Sequence, residues 1–487
     1  MKKYIIAIDQ GTTSSRVLVL DKSGTIIHRE QMEVNIYDED GAIIQNAEEL
    51  LETVKLLLEH TFRRYELLPD EVAAIGITNQ RETSIIWDKK TGRPIHKAIS
   101  WQSKHTEPII DEWKKLGIAS SISEKTGLEM NAYFSASKIR YILDQYNGNI
   151  DDLLFGTVDS YLLYQLSVEK AHKTDVTNAS RTMLFNIRSL DWDDELLSAF
   201  HIPRHILPEV VPNDHCFGHY EYDGVRIPIH AMIGDQQAAL FGNMCFHEGD
   251  LKVTYGTGGF ILLNTGKNLL RSNSGLLSTV AWHVGNTVNY ALEGSVFICG
   301  AAVQWLRDEL KIIKTAAETE ELAYAATDNS IYFVPSFVGL GTPYWNSAVR
   351  ATILGLKRKS NRNDIVKATL ESIGFQIEDI LQVLKKDSHL DISEITADGG
   401  ASQNKFLMQF QADISDIRVL ENEEVELTAL GAAYIAGLAV GFWANTAELE
   451  KSRKIKKVFS PVISATERQQ RYRKWCKAVQ AAIMFSD

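Results

Sequence analysis

Near the start of the chain, Asp9-Gln10-Gly11-Thr12-Thr13-Ser14 lies between two β-branched runs, Ile5 to Ile8 and Val17 to Leu20. A tight turn of this make-up presents backbone N–H groups and hydroxyls at close range, which is what phosphate oxygens require. Gly11 lets the backbone approach a ligand with no Cβ in the way. Asp9 beside a phosphate calls for a cation between the two, and Mg²⁺, which takes carboxylate, water and phosphate oxygens, meets that description. Taken alone, the pattern also describes an ordinary surface hairpin. A second strand–turn–strand, Asp250 to Gly266, carries Gly256-Thr257-Gly258-Gly259 at its turn, and Asp398-Gly399-Gly400 separates a strand pattern from a helix pattern. Two donor-rich hairpins from opposite domains can grip a polyphosphate from both sides, and the third stretch is a further place where backbone can approach a nucleotide. Neither a Walker-A loop nor a GxGxxG kinase loop occurs.

Strand and helix patterns alternate along the whole chain without a Pro- or Ser-rich linker, which predicts an α/β fold with mixed sheets. At 487 residues the chain exceeds one hydrophobic core. Polar turns at Tyr4 to Gly24, Met232 to Gly242, Asp250 to Gly266 and Ile395 to Phe410 form an internal echo, and predict two related halves, 1–245 and 246–487, facing each other across a cleft. Amphipathic spacing predicts helices over Ala47 to Tyr65 and Arg362 to Lys385. From Leu427 to Ala447 there are 21 residues without a charge, including a G-x-x-x-G. Their Ala and Gly content predicts a helix buried through its small residues rather than one spanning a membrane.

A net charge of −12 argues against nucleic acid or an anionic membrane as the main partner. Four scattered cysteines with no C-x-x-C pair suggest neither a disulfide framework nor a thiolate metal site, and a reduced cytoplasmic setting is the simplest reading. Met1-Lys2-Lys3 has the basic character of an export signal, but the apolar run after it stops at Asp9, which reads as a strand.

The stretches AIDQGTTSSR, AAIGITNQRET, FGTVDSYLL, TNASRTMLFNI, GDQQAALFG, TYGTGGF, YALEGSVF, QWLRDEL, TLESIGFQ, DGGASQNKFLMQFQADI and TALGAAYIAGLAVGFW follow one another over nearly the whole chain. In this order they resemble the FGGY family of carbohydrate kinases. The resemblance implies an α/β, two-domain ribonuclease H-like fold of the actin and hexokinase type, with the active site in the interdomain cleft. It implies ATP as donor, and places Thr12, Thr13, Ser14, Arg16, Thr257, Gly300, Gln304, Gly400 and Asn404 around the nucleotide, with Asp9 and Asp235 as candidate Mg²⁺ ligands. For the acceptor it implies glycerol, bound by Arg81, Glu82, Tyr133, Asp235 and Gln236 between apolar walls from Trp101 and Phe260, with Asp235 as general base. Six heavy atoms at a ceiling of ~1.5 kcal/mol each limit the binding of such a substrate to about 9 kcal/mol, so selection must come from hydrogen bonds rather than shape. A homo-oligomer is implied by the same analogy.

The chain departs from the family pattern at Gly41-Ala42-Ile43-Ile44-Gln45-Asn46, which lacks an aromatic and acidic groups, and at Tyr141, Asn346 and Ala351. These departures lie outside the expected substrate contacts but leave two other readings open. One is a kinase for another small polyol or a ketose. The other is an actin-like nucleotide-binding regulatory protein that transfers nothing, against which the polyol-shaped set Arg81, Glu82 and Asp235 argues.

Overall fold

The computed structural model describes residues 2–486; Met1 and Asp487 lie outside the described residues. Its architecture is one pattern used twice. In the first half, β1 (Tyr4–Gln10), β2 (Ser14–Leu20) and β3 (Ile26–Glu33) form an antiparallel meander, followed by helix α1 (Ala47–Arg64). Strand β4 (Val72–Asn79) then runs parallel to β1. A long insertion separates it from β5 (Gly218–Tyr222) and β6 (Val225–Gly234), and helix α2 (Asp235–Gly242) closes the half. The six strands lie in the order β5-β6-β4-β1-β2-β3. β1 and β4 are buried along almost their whole length, and their near-continuous apolar runs are those of strands covered on both faces.

In the second half, β7 (Leu251–Tyr255) and β8 (Gly259–Asn264) form the hairpin, β9 (Leu277–Val284) and β10 (Thr287–Val296) extend the meander, and helix α3 (Gly300–Asp308) follows. Helix α4 (Arg362–Ser388) leads to β11 (Glu394–Asp398), parallel to β7, then helix α5 (Lys405–Ser415), β12 (Arg418–Asn422), helix α6 (Leu427–Ala439), β13 (Ile455–Phe459) and helix α7 (Ala465–Ser486). The sheet order is β9-β10-β8-β7-β11-β12-β13. Strands β1, β2, β3, β4 and β6 therefore correspond to β7, β8, β10, β11 and β12, with the same parallel and antiparallel relations.

Local chemistry accounts for the elements. Helix α1 is capped by Asn46, whose side chain accepts from the Glu48 N–H at 3.1 Å, and carries Glu48 and Glu49 in its first turn and Arg63 and Arg64 in its last, complementing the helix dipole. Helix α4 starts in a capping box formed by Asn361 and Asp364.

The small-residue helix α6 is buried, as its composition predicts, but it stops at Ala439 rather than running on to Ala447: the chain leaves it through Val440 and Gly441, which has φ of 68°, and Gly441, Ala444, Asn445 and Ala447 are exposed. Helix α6 lies on the sheet of the other half. A Cβ on Gly76 of β4 would come within 2.4 Å of the Ala432 carbonyl. Helices α2 and α6 cross just as closely: a Cβ on Gly242 would sit 1.8 Å from the Leu427 oxygen, and one on Gly431 would sit 1.9 Å from that of Ala238. Both helices share one apolar core with residues of the two sheets, including Ala7, Leu18, Ile233, Leu262, Trp282 and Ala291. No helix among the described residues is long and apolar enough to cross a membrane.

Candidate active site

Strand β4 ends at Asn79, and the chain turns sharply through Arg81 and Glu82. Glu82 has φ of 61°, a left-handed conformation that a non-glycine residue adopts only when its surroundings enforce it. Here the Glu82 carbonyl accepts from the hydroxyls of Ser135 at 3.0 Å and Ser84 at 3.1 Å. The guanidinium of Arg81 makes two 2.8 Å bonds to the carboxylate of Glu293 on β10 and a third, at 3.1 Å, to the Gln237 amide oxygen; its Nε faces Asp235 at 3.4 Å. Glu82 accepts from Arg181 Nε at 2.7 Å, and Arg181 also reaches Glu293 at 3.1 Å. Two arginines and two glutamates thus compensate one another while buried. Burial would raise the carboxyl of Glu293, but Arg181 and Arg81 outweigh it and hold the group at about 2. The paired donors of Arg81, expected to serve an acceptor's hydroxyls, are directed at Glu293, and the atom left toward Asp235 is Nε.

Asp235 opens α2 immediately after Gly234, where a Cβ would lie 2.8 Å from Arg81 Cδ; only glycine lets the arginine pass. The Gly234 N–H donates to Thr177 Oγ1 at 2.9 Å, and Asp235 accepts from the Gln236 N–H at 2.7 Å. Burial pushes the Asp235 carboxyl up, against the pull of Arg81 and Lys252. The Gln236 side chain accepts from Lys252 Nζ at 2.5 Å. Trp101 meets Tyr133 and Phe260 edge-on, with ring centroids 5.8 and 6.4 Å away, and the Tyr133 hydroxyl lies within reach of the charges of Glu82 and Arg81. Phe260 comes from the second half, the other two rings from the insertion of the first. The Tyr133 loop is held by Lys138, whose ammonium donates to the carbonyls of Ala132, Tyr133 and Phe134 at 2.9, 2.5 and 3.1 Å.

The hairpin of the first half closes through Gly11 N–H to Ser14 O at 2.9 Å. The Thr12 hydroxyl accepts from the Trp101 indole at 2.9 Å, so the aromatic wall and the phosphate-type turn are linked. The Thr12 carbonyl accepts from Gln45 at 2.9 Å, and Gln45 in turn accepts from Gln80 at 2.8 Å. Two of the departures from the family pattern therefore have structural work: Gln45 braces the turn and Asn46 caps α1. Arg16 lies between Asp9 at 3.2 Å and Gln31 at 2.9 Å, with Glu426 at 3.8 Å. Burial lifts the Asp9 carboxyl to about 6; Arg16 opposes this, and the nearby charges of Asp235 and Glu426 add to it. Thr13 is exposed and Ser14 buried.

In the second half, Gly256 N–H bonds Gly258 O at 3.0 Å, and the first N–H groups of α3 dock on this turn, Gly300 to the Gly256 carbonyl at 2.8 Å and Ala301 to that of Thr257 at 3.1 Å. Thr257 and Gln304 face solvent beside it. Gly399 has φ of 85°, and a Cβ there would meet the Tyr255 backbone at 2.7 Å; the ends of β7 and β11 approach because it has none. At Gly400 nothing lies within 4 Å, which leaves room beside the backbone. Asn404 caps α5 through the Leu407 N–H at 3.0 Å and donates to Thr319 at 3.0 Å.

The expected polyol residues thus lie together, as do Thr257 and Gly300, and Gly400 follows the Gly399 that packs on the Tyr255 backbone, while Asn404 and Arg16 are engaged by protein partners. Glu293, Arg181, Gln237, Lys252 and Lys138 went unforeseen. For Lys252 and Glu293 the one signal in the sequence is a charge inside an otherwise apolar run, Leu251-Lys252-Val253 and Leu292-Glu293-Gly294; Arg181, Lys138 and Gln237 follow small or polar residues and carry no such signal.

Duplicated sheets with polar hairpins where the two halves meet define a two-domain α/β fold of the ribonuclease H-like class. The chain belongs to the FGGY family of carbohydrate kinases: the family's N-terminal domain matches residues 4–242 and its C-terminal domain residues 251–440. It is 49% identical to glycerol kinase 2 of Thermotoga maritima over 99% of both chains, and 46% identical to a glycerol kinase of Bacillus anthracis over 100% of both. Among solved structures, glycerol kinase of Plasmodium falciparum with ADP superimposes with a TM-score of 0.92 at 33% identity, covering 98% of each chain. A xylulose kinase of Lactobacillus acidophilus, at 22% identity and a TM-score of 0.89 over 98% of each chain, shares the fold.

Proposed function

We propose that the protein transfers the γ-phosphoryl group of ATP to a terminal hydroxyl of glycerol, giving sn-glycerol 3-phosphate and ADP. One arrangement carries the reading: Asp235 stands 3.4 Å from Arg81, whose charge also reaches the Tyr133 hydroxyl, and the Tyr133 ring belongs to an edge-on aromatic group with Trp101 and Phe260, so that a carboxylate, a cation and an apolar wall come together. Near-half identity over full length to relatives named glycerol kinases supports the choice of acceptor.

In this reading Asp235 accepts the proton of the attacking hydroxyl as its oxygen bonds to phosphorus and the bond to the ADP oxygen breaks. A carboxylate so placed both aims the hydroxyl and removes its proton. Arg81, fixed by Glu293, holds Asp235 from one side. The aromatic edges cover the carbon chain and keep water out. Thr12, Thr13 and Ser14 from one hairpin and Thr257 from the other supply donors to the phosphates, while Gly300, Gln304, Gly400 and Asn404 border the nucleoside.

The donor set suits Mg²⁺. Asp9 and Asp235 lie close enough for the charge of one to raise the other's carboxyl. Among the described residues no cluster of three or more His, Cys, Asp or Glu is arranged to hold an ion unaided. A hard ion that completes its shell with water and triphosphate oxygens matches such a pair. Asp9 and Asp235 would hold it, and it would neutralise phosphate charge. The working unit is taken as a homo-oligomer in the cytoplasm, a setting its unpaired cysteines support.

An ATP-dependent phosphorylation assay across glycerol, dihydroxyacetone, erythritol and xylulose tests the reading, with the highest kcat/KM expected for glycerol. Preference for a larger sugar overturns the substrate, and no transfer to any of the four leaves the regulatory alternative.

A further inference from the structure

The duplicated sheets are a control experiment within one molecule. Strand β1 presents Ala7 two residues before Asp9, and β7 presents Lys252 two residues before Thr254, the position that corresponds to Asp9. Both side chains are 0% exposed. At Ala7 the sheet is sealed by the small-residue helix α6, an arrangement that needs no charge. At Lys252 the facing helix is α2, which begins with Asp235 and Gln236. A lysine buried in a central strand is costly unless its ammonium has partners. Its direct partners are two neutral oxygens, Gln236 Oε1 at 2.5 Å and Thr254 Oγ1 at 2.7 Å. Three carboxylates, Asp398, Asp235 and Glu293, surround it at longer range, with Arg81 the one cation among the charges acting on it. The bond to Gln236 links the strand leading to the Thr257 turn with the helix that carries the candidate base.

We propose that Lys252 is a positioning residue of the transfer site, through which the sheet of the second half fixes the Asp235–Gln236 turn against the hairpin that carries Thr257. The inference rests on the kinase reading above. In-line transfer demands that acceptor and donor sides keep a common frame, and misplacement by about 1 Å costs on the order of 10²-fold in rate. A single tether between the first turn of α2 and the strand behind the phosphate-type hairpin supplies such a frame. A lysine that merely balanced the acidic interior would have no need to end on the side chain next to the base.

The test is Lys252→Met, which keeps the length and apolar stem and removes the N–H donors, assayed on the full chain with glycerol and ATP. Expected are a kcat lowered about 10- to 100-fold, a KM for ATP within twofold of the parent, and a cooperative melt. Gln236→Met should lower kcat similarly, and the double variant should lose no more than the worse single one, because both remove the same tether. Lys252→Arg, which restores donors and charge, should recover part of the rate. Folded Lys252→Met with an unchanged kcat overturns the proposal, and so does additivity in the double variant. If Lys252→Met does not fold, Thr254→Val and Gln236→Met decide: normal turnover in both makes the lysine purely structural. If the parent chain phosphorylates another polyol and not glycerol, the substrate reading fails, and the same variants test the tether with that polyol.

Discussion

In the first half of the molecule the paired strands bring Asp9 of β1 opposite Thr78 of β4, and in the second half Thr254 of β7 opposite Asp398 of β11. Acid and hydroxyl have changed strands. The partners of the two acids differ accordingly. Asp9 faces Arg16 at 3.2 Å and feels Asp235, whereas Asp398 is tied down by Asn243 at 2.5 Å from the end of α2. The fold repeats the places, and the side chains divide the work: in the first half an acid close to the phosphate-type turn and the candidate base, in the second a turn whose acid is committed to holding a helix. A duplicated architecture is thus no guide to duplicated chemistry.

The division is most sharply broken at the helix that follows β6. Asp235→Asn should lower kcat by roughly 10²- to 10⁴-fold while glycerol binding, followed by calorimetry, changes little. Turnover like that of the parent chain would remove the distinction between α2 and its counterpart α6, which carries no acid. Next in size are the contacts that join the halves. Gly431→Ala and Gly242→Ala each press a methyl group into a carbonyl of the other helix and should cost about 1–3 kcal/mol or more, read as a lower melting temperature. Tolerance at one position and not the other would show that α2 and α6 are unequal partners.

The smallest expected effect is a contrast in sign with pH. In the first half, burial holds His172 at about 4, below its ordinary 6.5, with a 2.7 Å bond to the Phe155 carbonyl. The unfolded chain binds this proton first, so the stability that the neutral ring contributes is complete above pH 6.5 and is lost as pH falls toward 4. In the second half, burial raises Asp379 from 3.8 to about 6, although Trp475, Tyr472 and Tyr344 donate to it at 2.8, 2.7 and 3.0 Å. There the folded state binds the proton first, so stability is greatest below pH 3.8 and declines as pH rises to 6. The melting temperature of His172→Gln relative to the parent should therefore climb on acidification from 6.5 to 4, and that of Asp379→Asn should climb on raising the pH from 4 to 7. Parallel slopes would refute the contrast.

The hairpins, the helices that begin at Ala47 and Arg362 and the burial of the one that begins at Leu427 were legible in the sequence, because each depends on local spacing or composition; the end of the last at Ala439, short of the expected Ala447, was not. The partners of the site residues were not. Arg81 and Glu293 are 212 positions apart, and their two 2.8 Å bonds exist only because β10 of one half passes the end of β4 of the other. Trp101 reads as an apolar wall, and its indole N–H reaching Thr12 is a property of two loops that only the fold brings together. Gln45 reads as the loss of a family feature, and its bond to the Thr12 carbonyl is invisible to a comparison of letters.

The shared core around α2 and α6 has a bearing on how such a chain is made. A chain stopped near residue 245 would contain β1, β4 and α2 but not the helix that lies on them, and would expose Ala7, Ala74 and Ile233 to water. During synthesis the amino-terminal sheet therefore waits for nearly two hundred further residues before its lid arrives. The amino-terminal lobe borrows part of its cover from the other, and the two are tied at their making as well as in their working.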